Sequence, residues 1–150
     1  MLKGSYMYDQ VLHSPLILAG PGIPRNLKIN TLCEAVDISP TIGELLNFPT
    51  PHAQGHSLVP LFAKPDAKHK SAVFAEFPTV KMVRTASHKL VHYPNAPYGE
   101  LYELSADPHE YENLYANPAH ASLKADLYKL LTDWSVRSSD PLRAPVRDAV

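Results

Sequence analysis

Eight histidines, a single cysteine and a few clustered carboxylates are the places in this 150-residue chain where catalysis or metal binding could be built. Two histidine pairs are spaced i,i+4, His52 with His56 and His88 with His92. On a helix that spacing puts both imidazoles on one face, as in zinc proteases, where a Glu directly after the first His serves as general base. Ala53 and Lys89 stand there instead. Pro51 and Gly55 argue against a helix around the first pair. In a strand rising ~3.3 Å per residue, the second pair would lie about 13 Å apart, too far for one ion with bonds of ~2 Å. Structural or surface histidines are the simpler reading, with His56 kept as a candidate for the loop it occupies.

Other groups are tested in the same way. Asp107, Glu110 and Glu112 cluster beside Asn113, without the Asp/Asn ladder and central Gly of a calcium loop, so Asp107-Pro108 reads as a turn. Ser57 lies in Gly55-His56-Ser57-Leu58-Val59, where a nucleophile elbow would need a second Gly at 59. Gly20-Pro21-Gly22 lacks the spacing of a dinucleotide loop and reads as a turn. Cys33 alone excludes an intrachain disulfide and any multi-cysteine metal site. No metal site is expected from these residues. Tyr93, Tyr98, Tyr102 and Phe77 could stack on an aryl or sugar ring, although core packing is the simpler role.

The elements that would position these groups fall into two parts, 1–66 and 67–150. In the first, Leu16-Ile17-Leu18-Ala19 is short, apolar and unalternating, and is stopped by Gly20-Pro21-Gly22-Ile23-Pro24; it predicts a strand inside a sheet. Ser39 as cap and Pro40 as first residue predict a helix ending near Asn47, with Ile42, Leu45 and Leu46 as its apolar stripe. A stretch rich in Pro and His follows over 49–66, with Leu58, Leu61 and Phe62 as an apolar anchor. In the second part, segments 72–77, 82–85, 89–93 and 100–104 are rich in Val, Phe, Tyr and Thr and predict an antiparallel meander of four strands. Asn117 and Pro118 then open a helix whose stripe is Leu123, Leu127, Leu130, Leu131 and Trp134. An extended or frayed tail is expected from Ser138 to Val150.

Composition narrows the function classes. Fourteen basic and fifteen acidic residues give a net charge of −1, so no basic field exists to hold nucleic acid or a membrane surface. The longest clean apolar run, residues 16–19, is far short of the ~20 residues of a membrane span. With 45% hydrophobic and 19% charged residues the chain reads as globular, long enough to bury roughly 70% of its unfolded surface. Fifteen prolines against six glycines indicate stiff connections between short elements. No repeat is visible. The start, Met1-Leu2-Lys3-Gly4-Ser5-Tyr6, has no signal-peptide stretch and reads like the middle of a loop, and the compartment is left unknown.

Three motifs in order resemble the C-terminal part of the sulfatase family within the alkaline-phosphatase superfamily. The first is Lys3-Gly4-Ser5-Tyr6-Met7-Tyr8-Asp9, followed by Ser14-Pro15-Leu16-Ile17 and Gly20-Pro21-Gly22-Ile23. The second is Val36-Asp37-Ile38-Ser39-Pro40-Thr41 with Gly55-His56-Ser57-Leu58-Val59-Pro60-Leu61. The third is Gly99-Glu100-Leu101-Tyr102-Glu103-Leu104, then Asp107-Pro108, Glu110 and Asn113-Leu114. The resemblance implies an α/β, alkaline-phosphatase-like C-terminal fragment: the last strand and helix of the catalytic domain in 1–66, then a small four-stranded antiparallel sheet on a long helix in 67–150. It also implies Ca²⁺ and a formylglycine in the complete enzyme, the latter made from a Cys/Ser-x-Pro-x-Arg motif. Cys33, followed by Glu34-Ala35-Val36-Asp37, does not match that motif. Only Lys3 carries over, as the ammonium that contacts a sulfate oxygen. His13 stands where relatives often have Arg and is given no role. Because the C-terminal subdomain closes one side of the cleft in such enzymes, Arg84, His88 and Tyr98 are candidate substrate contacts, together with His56, whose loop follows the catalytic half.

Three functions follow as expectations. The first is sulfuric ester hydrolysis by the complete protein on a sulfated small molecule or sugar, with this chain inactive by itself. The second keeps the superfamily and takes a phosphate diester or phosphonate monoester. The third is a non-catalytic piece that associates with an N-terminal half or with itself, exposing residues 16–19 and hence sticky.

Overall fold

A computed structural model describes residues 6–139. Lys3 therefore lies outside the described residues, as does all of the expected tail beyond Ser139. Four strands, β1 (Ala72–Phe77), β2 (Val80–Thr85), β3 (His88–His92) and β4 (Gly99–Glu103), form an antiparallel sheet in chain order. The predicted meander is thus present, with β2 starting earlier than its clearest apolar run because Val80 pairs with Phe77 across a two-residue turn.

Both faces of this sheet are covered. The strand period of two sorts Phe74, Val83, Leu90 and Leu101 onto one face, where the long helix lies. There Leu127 and Leu131 are buried, Leu123 and Leu130 pack beside them, and the Trp134 ring stacks on Phe74 with centroids 4.9 Å apart. Each fully buried Leu contributes roughly 1.5–3 kcal/mol. The other face carries Ala75, Val80, Met82 and Val91, and the chain's own beginning covers it through Met7 and Leu12. Met7 precedes, and Leu12 ends, a single helical turn, α1 (Asp9–Leu12).

Side chains close the sheet's edges. On β1, Glu34 Oε1 accepts the Phe74 N–H at 2.7 Å. On β4, Asn113 Oδ1 accepts the Leu101 N–H and its Nδ2 donates to Gly99 O, each at 3.0 Å. Such contacts satisfy groups that would otherwise template pairing with another chain. A Cβ on Gly99 would come within 2.4 Å of the Tyr115 ring, so only glycine fits there.

In the first part, a 3₁₀ turn (Ala35–Asp37) leads into α2 (Ile38–Leu45), and α3 (Pro60–Ala63) follows. The helix starts before the expected cap at Ser39, because Glu34 and Asp37 form a reciprocal capping box one turn earlier. Its end is as the sequence suggested. Asn47 is left-handed (φ 52°), and the N–H groups of Phe48 and Asn47 donate to Gly43 O and Glu44 O. The anchor is also as expected, with Leu58 and Leu61 buried.

Residues 16–19 differ from expectation: they join no ladder, and Ile17 is 86% exposed. A strand buried on both faces needs neighbours on either side, and none of the described residues pairs with this run. The stripe of α2 is open too. Ile42, Leu46 and Phe48 are exposed and line an apolar groove with Ala35, Ile38 and Thr50. Among the described residues no helix is long and apolar enough to cross a membrane.

The second helix begins as the sequence indicated, with Asn117 Oδ1 accepting the Ala119 N–H at 3.0 Å. A 3₁₀ turn (Pro118–His120) intervenes before α4 (Ala121–Ser138).

Candidate functional site

The segment that follows Lys3 is clamped to the sheet by buried charge. Lys89, on β3, is fully buried, and its Nζ donates to Met7 O at 3.0 Å and pairs with Asp9. It also forms an ion pair with Glu110 Oε1, the sole polar contact of that oxygen among the described residues and not aligned as a hydrogen bond. Glu110 Oε2 accepts the Asp9 backbone N–H at 2.8 Å. Arg84, beside Lys89 in register, donates from Nε to Asp9 Oδ2 at 3.1 Å. Burial alone would push the Asp9 carboxyl up, but Lys89 and then Arg84 more than offset it and hold it below the ordinary Asp value. Glu110 reaches inward from a left-handed backbone (φ 60°), a conformation that costs a non-glycine residue energy and persists only when its surroundings hold it.

A second buried node fastens the two segments of the second motif, 36–41 and 55–61, to each other. Asp37 is fully buried and accepts the N–H groups of Glu34 and His56, each at 2.8 Å, and the Lys70 ammonium at 2.7 Å. Burial opposes its ionisation, but these donors prevail and hold its carboxyl low. Lys70 is shifted the other way, since Asp37 and Glu34 outweigh the burial that would lower it. Thr41 Oγ1 donates to Asp37 O at 2.6 Å and accepts the Leu58 N–H at 2.9 Å. Gly55 lies so close to this node that a Cβ would stand 2.1 Å from Val36 O. His69 Nε2 is buried 3.4 Å from Asp37 Oδ2 without a hydrogen bond. Partial burial and the Asp37 charge push the Cys33 thiol up, opposite to what a nucleophile requires.

Aromatic side chains gather at the end where β3 runs into β4, and along β4. Tyr93 Oη donates to Glu100 Oε1 at 2.6 Å and Tyr102 Oη to Glu100 Oε2 at 3.2 Å. Tyr98 leans on Tyr93 (5.3 Å between centroids), Tyr8 on Tyr102 (6.3 Å), and Tyr6 stacks on Tyr8 (6.2 Å). Burial first, and then the Glu100 carboxylate, push the Tyr93 and Tyr102 phenols far up, so both stay neutral.

The four substrate contacts expected from the sequence do not converge. His56 is in the loop held by Asp37, with its ring edge-on to His69 at 6.1 Å. Arg84 is committed to Asp9 and to Thr85 O. His88 sits on the opposite face of the sheet from Arg84, with Nδ1 2.9 Å from Ser87 Oγ. Tyr98 is exposed in the aromatic cluster. The sequence reading gave no role to Tyr6, Tyr8 or Glu100, which share that cluster with Tyr98; only the β3–β4 register and the return of the chain's beginning onto the sheet bring them together. Among the described residues, no group of three or more His, Cys, Asp or Glu side chains is placed to hold a metal ion.

Comparison with known proteins finds a family match over nearly the whole chain. Residues 2–137 match the family described as N-sulphoglucosamine sulphohydrolase, C-terminal. A Delta 4,5-hexuronate-2-O-sulfatase of Bacteroides thetaiotaomicron is 32% identical over 95% of this chain and 32% of its own length. A solved structure described in complex with its substrate, D-glucosamine-2-N,6-O-disulfate, has a TM-score of 0.60 at 26% identity, over 70% of this chain and 24% of that one. A phosphonate monoester hydrolase from Silicibacter pomeroyi shares the fold, with a TM-score of 0.64 at 22% identity, over 80% of this chain and 27% of that one. The chain therefore spans about a third or less of the length of these proteins. With its four-stranded sheet, its long covering helix and the family match over nearly its whole length, the chain belongs to the sulfatase family, as a C-terminal part of N-sulphoglucosamine sulphohydrolase type.

Proposed function

We propose that the complete protein to which these residues belong hydrolyses sulfate esters on a sulfated sugar, with Lys3 contacting the sulfate. The observation that carries this reading is the family match over residues 2–137, and sulfated sugars appear in the descriptions of two of the similar proteins. Sulfate ester hydrolysis builds charge on sulfuryl oxygens and on the leaving oxygen. A compact ammonium suits a tetrahedral anion of this kind. The contribution of this chain is to bring Lys3 to the sulfate and hold it there. The clamp of Lys89, Glu110 and Asp9 fixes the backbone at residues 7 and 9, close to Lys3 in the chain.

Calcium and formylglycine, expected in complete enzymes of the family, find no fit in the described residues: no ligand cluster is present, and Cys33 lacks the required motif. We therefore read these 150 residues as inactive alone, and as two parts, 1–66 from the catalytic domain and 67–150 as its C-terminal subdomain. His56, Arg84, His88 and Tyr98 stay as proposed contributors to substrate selection. The alternative, a phosphonate monoester or phosphodiester hydrolase, draws on the fold shared with the Silicibacter enzyme.

Reading the DNA upstream of the Met1 codon in frame tests this. An open frame encoding Cys/Ser-x-Pro-x-Arg and an Asp-Asn pair supports the hydrolase. An immediate in-frame stop, with no separate N-terminal half encoded nearby, overturns it in favour of a non-catalytic piece that acts by association.

A further inference from the structure

We infer that the tyrosine surface of Tyr6, Tyr8, Tyr93 and Tyr98 around Glu100 is a binding platform for an unsulfated sugar ring, the neighbour of the sulfated residue in an oligosaccharide substrate. The inference rests on the sulfatase reading above and names the substrate class of that same site.

Five of the chain's eight tyrosines, these four and Tyr102, gather along and beside β4. Their burial is graded. Tyr102 is in the core at 3% exposed, Tyr8 and Tyr93 are half-buried, and Tyr6 and Tyr98 are 59% and 60% exposed. Core packing explains the innermost ring and leaves the outer two unexplained. An exposed phenol ring offers what a pyranose needs: a flat apolar face for its C–H groups and, at the rim, oxygen that accepts from sugar hydroxyls.

Tyr98 is also held in advance of any ligand. Its loop carries Pro94 and Pro97, a left-handed Asn95 (φ 63°) and a turn in which the Ala96 N–H donates to Tyr93 O at 3.2 Å. Directly after it, Gly99 is pinned against the Tyr115 ring and by Asn113. A stiff loop and a side chain with two torsions lose little entropy on binding. Charge selects the kind of ring. The Glu100 carboxylate, with both oxygens engaged by phenols that remain neutral, repels a sulfate placed over it and leaves hydroxyls welcome. Lys3, the proposed sulfate contact, precedes Tyr6 by three positions in the chain, and the run of rings from Tyr6 through Tyr8 to Tyr102 offers its surface to the next ring.

The test uses the complete protein with two substrates: a sulfated glucosamine monosaccharide, and a disaccharide joining the same residue to an unsulfated sugar. Tyr98→Ala is expected to raise the ratio of the disaccharide KM to the monosaccharide KM about five- to tenfold, the scale of one aromatic contact. Tyr98→Trp, which keeps a ring, is expected to restore the disaccharide KM. Equal losses on both substrates would show that Tyr98 only packs against protein, and no loss on the disaccharide would show no contact; either result overturns the platform. If the wild type releases sulfate from neither substrate, the sulfatase reading fails separately. Titration of this chain with the disaccharide, followed by NMR, then decides the platform. Saturable shifts of the Tyr6 and Tyr98 ring protons in the wild type, with those of Tyr6 lost in Tyr98→Ala, support it, and their absence in the wild type overturns it.

Discussion

Exchanging Lys89 for Met removes an ammonium and keeps most of the stem that packs on the sheet. The Lys89 side chain is 1% exposed and that of Glu110 is 0%, so the variant leaves a carboxylate in a dry site whose Oε1 has lost its one polar contact. Asp9 retains Arg84, but the Met7 carbonyl loses its donor. Breaking a buried pair from one side costs about 3–5 kcal/mol. That is a large share of the ~5–15 kcal/mol by which domains are stable. With a urea m-value of about 2 kcal/mol/M, the midpoint should fall by about 2 M. Replacing both partners, Lys89→Met with Glu110→Gln, neutralises the site and keeps an oxygen to accept the Asp9 N–H. The double variant should therefore recover more than half of the loss. Urea unfolding followed by circular dichroism at pH 7 measures all three proteins. A single variant whose midpoint lies within about 0.5 M of wild type, or a double variant no better than the single, would refute the argument from buried charge.

Acid should weaken the fold through Asp9 and Asp37. Both carboxyls are held below the ordinary value of 3.8, so their contribution is complete above that value and is lost as pH falls through their folded-state values. Thermal scans should show a steep fall in Tm below about pH 4, and Asp37→Asn should flatten that limb; an unchanged limb would count against the node. Thr41→Val takes away one donor and leaves the buried Leu58 N–H without an acceptor, at a cost of about 2–3 kcal/mol in urea unfolding. Gly55→Ala forces a Cβ onto Val36 O and should lower soluble yield and Tm, whereas Ala53→Gly in the same loop should change Tm only slightly. Leu46→Glu breaks up the exposed apolar face of α2, so sedimentation should show less self-association at unchanged urea midpoint.

The second part was legible because its signals are periodic. In Lys89-Leu90-Val91, Leu90 and Val91 belong to opposite faces, and a sheet covered on both sides buries both. The same period puts Lys89 on the face of Val91, which should have marked it as buried; a lysine's usual exposure argued otherwise. Glu110 gave no local signal, since its partners come from residues about 20 and 100 positions away. Asp107 was read as a turn residue, and it is one: its carboxylate accepts the Glu112 N–H at 2.8 Å. In the first part the apolar run at 16–19 was visible, but a strand inside a sheet is a property of its neighbours, and none pairs with it among the described residues. Of the candidate contacts, Arg84 reads differently in space because Asp9 occupies it, and Tyr98 gained company that sequence spacing could not reveal.

The central claim is that these residues are the C-terminal part of a sulfatase that presents Lys3 to the sulfate. Sulfate release from D-glucosamine-2-N,6-O-disulfate by the complete protein, wild type against Lys3→Ala, tests it most directly. The account predicts turnover in the wild type and a loss of about a hundredfold or more in the folded variant, the scale of removing one group that stabilises developing charge. Turnover that survives Lys3→Ala, or a complete protein that cleaves a phosphonate monoester and releases no sulfate, would contradict it.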